Sequence, residues 1–123
     1  MKEKIIKNLI IFNYEFSEKN NKIVIDLGFG QQLVLIIDND NLKFEERLKG
    51  WNMLTTFPTS FKTALFISPI FVIAFWSIFT SSFTDYQNYF GILIAFNIML
   101  VTFSIYYSIR FEGIKTKIAI WLQ

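Results

Sequence analysis

The sequence predicts a membrane protein: a two-helix transmembrane hairpin attached to a small antiparallel β-sheet module, which the N-terminal half forms together with a C-terminal strand. Three observations predict it. Residues 63–83 (TALFISPIFVIAFWSIFTSSF) and 90–109 (FGILIAFNIMLVTFSIYYSI) contain no Asp, Glu, Lys or Arg. Short apolar runs between residues 9 and 49 alternate with clusters of Asn, Asp and Gly, a pattern of strands and turns. The tail after Arg110 alternates again. The expected domains are a module at 1–60, the hairpin at 61–109, and a strand at 110–123 that rejoins the module.

Each uncharged run is about 20 residues, which as a helix covers roughly 30 Å, the thickness of a bilayer's hydrocarbon core. A transmembrane barrel strand would alternate apolar and polar residues, and these runs do not. A chain of 123 residues is also too short to bury two such helices on all sides. The hydrophobic fraction of 53% and mean hydropathy of +0.40 point the same way. Lys62 precedes the first span and Arg110, Lys115 and Lys117 follow the second, whereas the connection at 84–89 carries only Asp85. Basic residues mark the cytoplasmic side, so both termini are expected there and the connection outside. A compositional bias toward Lys, Asn, Ile and Phe suggests an AT-rich bacterial genome, and hence the inner membrane. The start, MKEKIIKNLIIF, lacks a signal peptide's long apolar core and small-residue cleavage site.

In chain order, residues 1–8 read as a helical lead-in. Residues 9–16 (LIIFNYEF) read as a strand with Ile10, Phe12, Tyr14 and Phe16 on one face. The competing helix would align Ile5, Leu9, Phe12 and Phe16; aromatic residues and isoleucine favour the strand. Residues 17–21 form a turn. Residues 22–27 (KIVIDL) and 31–37 (QQLVLII) make a hairpin across Gly28-Phe29-Gly30, and Asp38-Asn39-Asp40-Asn41 is the strongest turn signal. Residues 42–49 suit a strand with Leu42, Phe44 and Leu48 on one face and Glu46 as the exception. A helix capped by Asp40 or Asn41 competes with it. In the tail, Ile114, Thr116, Ile118, Ile120 and Leu122 share one face of the expected last strand.

No chemistry is legible. The chain has no histidine and no cysteine, so the commonest general base, thiol nucleophiles and zinc-thiolate ligands are missing. The turn at 38–41 departs from a calcium loop at its fifth and sixth positions, Leu42 and Lys43. Gly28-Phe29-Gly30 lacks the rest of a dinucleotide fingerprint. Asp26, Glu45 and Glu46 read as a solvated face. The net charge of +2 comes from mixed rather than clustered charges, so nucleic acid is not an expected partner, and no cofactor is implied.

The remaining candidates lie in the hairpin. Asn97, Ser104 and Ser108 share a stripe of the second span; Gly91 and Ala95, with Thr102 beyond, form a small-residue pair that permits close helix approach. In the first span Ser77 and Ser81 are spaced by four, after Pro69. These residues are expected to line a helix–helix interface, within the chain or with another copy or subunit. Trp51, Tyr86, Tyr89, Tyr106 and Tyr107 are expected at the membrane–water interfaces, where amphipathic rings sit. Uncharged spans argue against a proton- or ion-coupled transporter. The leading expectation is a non-enzymatic anchored accessory subunit, with the lipid bilayer and a protein partner, or itself, as its contacts. An immunity-type protein directed against a toxin and an oligomeric effector or pore are the alternatives.

Overall fold

The computed structural model covers the chain and describes residues 1–39, 41–55, 57–82 and 87–123, with only the backbone described at 87–89. Helix α1 (Lys2–Ile11) leads into strands β1 (Phe16–Lys19), β2 (Lys22–Gly28), β3 (Gln31–Asp38), β4 (Asn41–Leu48) and β5 (Thr59–Ser60). Helices α2 (Phe61–Ser82) and α3 (Gln87–Leu122) follow. The strands form one antiparallel meander in the order β1-β2-β3-β4-β5.

Alternation sets the faces of the sheet. Ile23, Ile25 and Leu27 of β2 and Leu33 and Leu35 of β3 point to one side. There they meet Ile5 and Leu9 of α1 and Phe111, Ile114 and Ile118 of α3. The module is thus two layers, a sheet with two helices on one face. The β3–β4 register pairs Leu33 with Glu46 and Leu35 with Phe44, so 42–48 is the strand whose apolar face the sequence outlined.

Two expectations are corrected. The first is the strand at 9–16. Residues 9–11 belong to α1, and only Phe16 enters a strand. Asn13 adopts φ 55°, the Tyr14 amide donates to the Leu9 carbonyl and the Asn13 amide to that of Ile10. These are the two bonds of a helix-ending Schellman motif, and asparagine tolerates the left-handed position it requires. Burying Ile5 and Leu9, four residues apart, outweighs the strand preference of the aromatics. The turn expected at 17–21 shrinks to Asn20 and Asn21, because Ser17, Glu18 and Lys19 pair with β2.

The second correction is the C-terminal strand. Helix α3 runs without interruption from Gln87 to Leu122. Its tail therefore joins the module as a helix, not as a strand of the sheet. Phe111, Ile114 and Ile118, spaced by three and four, form its buried stripe, and Ile120 is 61% exposed. The same sequence alternates as well, but a helix already nucleated in an apolar segment adds turns without a new nucleation cost.

Helix α2 starts from a local cap: the Ser60 hydroxyl accepts the Thr63 amide at 3.3 Å. It passes through Pro69 and buries Phe61, Ala64, Ser68 and Val72, at helical spacing. Phe61, Ala64 and Val72 cluster with Leu100 and Tyr107 of α3. Both helices are long and apolar enough to cross a membrane. Their bounds replace the expected 63–83 and 90–109, because α3 continues well past the apolar segment.

Candidate functional site

A junction where sheet, loop and hairpin meet positions the site. The turn Gly28-Phe29-Gly30 has φ values of +80°, +51° and +78°, three successive left-handed residues. Beside it runs the loop 49–58, which is organised by Asn52. The Asn52 amide donates to the carbonyls of Lys49 and Phe57, and its oxygen accepts the amides of Leu54 and Thr55. Tyr107 of α3 links the two segments. Its hydroxyl donates to the Phe29 carbonyl at 2.6 Å and accepts the Met53 amide at 3.1 Å. Gln31, at the start of β3, donates from Nε2 to the Tyr107 carbonyl at 2.7 Å, tying helix to sheet. Asp26 and Lys49 form an ion pair on the outer side of the same junction. Burial alone would raise the Asp26 carboxyl, but the Lys49 ammonium and the Gly28 amide outweigh it and hold it below its usual value.

Tyr107→Phe removes both hydroxyl bonds and leaves a carbonyl and an amide unpaired in a part-buried site. We expect a loss of about 2 kcal/mol, the cost of orphaned polar groups, read as lower thermal stability in detergent with unchanged helix content.

Next to this junction lies an open cleft of about 900 Å³, walled by β4, β5, the first turn of α2 and α3 just past residue 110. Glu46, Arg47, Ser60, Lys62, Phe111 and Lys115 are among its walls. Glu46 occupies the core-side register of β4, between Phe44 and Leu48 and opposite Leu33. Its Oε2 is shut away from solvent without a hydrogen-bond partner among the described residues. Burial pushes the Glu46 carboxyl up to about 7; Lys115 and Lys62 pull against this and Glu112 reinforces it. The reading of Glu46 as part of a solvated face is therefore corrected. The break in the apolar pattern at Glu46 was itself the signal.

The raised value sets the sign of a pH effect. The folded state holds this proton more tightly than the unfolded chain, whose carboxyl titrates near 4.5. The stabilisation is complete below that value and is lost as pH rises through about 7. In detergent, Glu46→Gln should match the wild type near pH 4.5. At pH 8 it should be more stable by on the order of 1 kcal/mol, with partial solvent screening taken into account. Thermal unfolding across that pH range checks the crossover.

The other sequence candidates are dispersed. Tyr107 is fully buried rather than placed at a membrane interface. That expectation is corrected, because its ring packs edge-on to Phe61 and its hydroxyl is spent on the junction. Tyr106 is half-buried, packs edge-on against Phe29 and accepts a hydrogen bond from Arg110. Trp51 is 92% exposed at the junction loop. Tyr86 and the side chain of Tyr89 lie outside the described residues, as do Asp40 and Asp85.

Gly91, Ala95, Asn97 and Thr102 are all exposed, as are Ser77 and Ser81, so none of the six packs α2 against α3. Asn97 donates to the Leu93 carbonyl, Thr102 to Ile98, Ser77 to Ile73 and Ser81 to Ile78, each within its own helix. Ser104 and Ser108 are half-buried at the edge of the α2-facing stripe. The cluster shared by the two helices uses Phe61, Ala64 and Val72 with Leu100 and Tyr107 instead, and Ala64 is the small residue that permits the approach.

Fold and site together define a two-layer αβ module carried on a long apolar helical hairpin, with a charged cleft where the two join. No family model, curated protein or solved structure matches the chain.

Proposed function

We propose that this protein is a non-enzymatic, membrane-anchored interaction module. The hairpin crosses the bacterial inner membrane with both termini in the cytoplasm, and the αβ module at the cytoplasmic face presents its surface to a protein partner. The exposure of the hairpin carries this reading. Only 17% and 11% of the most apolar stretches of α2 and α3 are buried. Phe66, Ile73, Ile78, Ile92, Phe96 and Ile98 stand open around both helices. An apolar surface of that extent is foreign to a water-soluble monomer and suits lipid. The basic residues 62, 110, 115 and 117 flank its two module-proximal ends, as cytoplasmic ends require. On the module, Ile10, Ile11 and Phe12 remain exposed near the Phe12–Trp121 stack and provide a surface for a partner.

The absence of native cysteine makes the topology directly testable. A single cysteine at Ser17 should resist a membrane-impermeant maleimide in intact cells and react after permeabilisation, while one at Asp85 should react in both. The opposite pattern would sink the orientation. Extraction in a mild detergent should yield a particle containing a stoichiometric second protein.

Self-association is a second reading with its own observation. Gly91, Ala95 and Thr102 are exposed on the side of α3 opposite Leu93, Leu100 and Tyr107, and nothing among the described residues lies within 4 Å of a Cβ placed on Gly91. A homo-oligomer that Gly91→Leu dissociates without loss of insertion would favour it.

A further inference from the structure

The anchoring role makes no use of the cleft beside Glu46. A carboxylate on the core-side register of a sheet is costly unless something pairs with it. Lys62 and Lys115 act on Glu46 electrostatically, yet neither forms an ion pair with it among the described residues. Lys115 is engaged instead by Glu112, at 2.8 Å. One cavity therefore has the Glu46 carboxyl in its wall, one oxygen of it buried without a partner, and a set of cations, Arg47, Lys62 and Lys115, around it. A bare anion would be repelled by Glu46. A bare metal ion would find only two carboxylates, Glu45 and Glu46, and several competing cations. A zwitterion with an ammonium and a phosphodiester satisfies both halves. The cleft also sits where α2 begins and where α3 leaves its apolar segment, which on the membrane reading is headgroup depth.

We infer that this cleft binds the headgroup of an ethanolamine-type phospholipid, with the ammonium donating to Glu46 and the phosphodiester held by Lys62 and Lys115. The inference rests on the hairpin spanning the bilayer. The cleft is of the size that small-molecule sites occupy. The near-neutral Glu46 carboxyl is consistent with a group awaiting a counter-charge, and a bound ammonium would bring it back down.

The test uses the full chain in nanodiscs containing equal phosphatidylethanolamine and phosphatidylcholine on a constant phosphatidylglycerol background. Lipids retained by the protein are then counted by native mass spectrometry. The wild type should retain the ethanolamine lipid over the choline lipid by about tenfold, the ratio that one charge-assisted hydrogen bond supports. The choline headgroup has no N–H to donate. Glu46→Gln should bring that ratio close to one, and the Lys62→Gln/Lys115→Gln double variant should lose retention of both lipids. Equal retention by the wild type overturns the inference. So does an undiminished preference in Glu46→Gln of native helix and strand content by circular dichroism. A stability gain from millimolar soluble phosphoethanolamine as large as that from the lipid would overturn the lipid source. Vesicle flotation is run alongside: a chain that fails to float sinks the membrane reading itself, whereas one that floats without headgroup preference sinks only the cleft assignment.

Discussion

Gly30→Ala should unfold the junction between module and hairpin. A Cβ at this position would lie 2.1 Å from the Trp51 carbonyl oxygen, 2.8 Å from its carbon and 2.9 Å from the Asn52 Cα. All three are backbone atoms, so no rotamer change relieves the clash. The residue also sits at φ +78°, which alanine adopts only under strain. Either the turn or the loop at 49–58 must move, and the Tyr107 hydroxyl then loses one of its two partners. Strain, overpacking and lost hydrogen bonds together should cost about 3 kcal/mol or more. In a module of this size that lowers the unfolding midpoint by more than about 10 °C. Gly28→Ala is the control. It has a similar φ of +80°, but the nearest atom to its Cβ is Arg110 Nη1 at 3.9 Å. It should cost only about 1–2 kcal/mol, the penalty of the backbone conformation alone. Equal losses in the two variants would refute the close approach of turn and loop.

Ile118→Asp should be comparably severe. Ile118 is fully buried among Ile5, Leu9 and the apolar face of the sheet. A carboxylate there must either remain charged without a partner or take up a proton. The expected loss is about 4 kcal/mol, at the upper end of single-residue effects. The informative comparison is Ile120→Asp. On a strand the two residues share a face and both substitutions would be damaging. On the observed helix they point apart, and Ile120 is 61% exposed. Limited proteolysis of the module in detergent should therefore show Ile118→Asp cleaved rapidly and Ile120→Asp close to wild type. Equal sensitivity would return the tail to the sheet.

Both experiments probe places where one pattern allowed two structures. The tail FEGIKTKIAIWLQ carries apolar residues at strand spacing and at helix spacing together. Residues 9–16 do the same. In each case the helix prevails because its stripe, Phe111-Ile114-Ile118 or Ile5-Leu9, meets the inner face of the sheet. That meeting is a tertiary fact, and periodicity alone holds no record of it. Similarly, Ser77, Ser81 and Asn97 looked like interface residues because polar groups in apolar segments tend to face partners, yet each bonds to its own helix backbone. Phe61, Ala64 and Val72 cluster with Leu100 and Tyr107 of α3 instead.

What the sequence determined by itself follows from local physics. Two uncharged runs of bilayer length had to become apolar helices. Alternation and Asn, Asp and Gly turns had to make the β2–β3–β4 meander, and Glu46 had to break an apolar strand face. These signals lie within a few residues of one another, where geometry leaves few options. Only the tertiary structure decided that the tail packs as a helix, and that Tyr107 joins Phe29 to Met53 across 78 and 54 residues of sequence. It also decided that Glu46 looks into a cleft shared with Lys62 and Lys115. Those outcomes depend on which surfaces meet after the chain has turned back on itself, and the energy of burying one face against another appears in no single stretch of sequence.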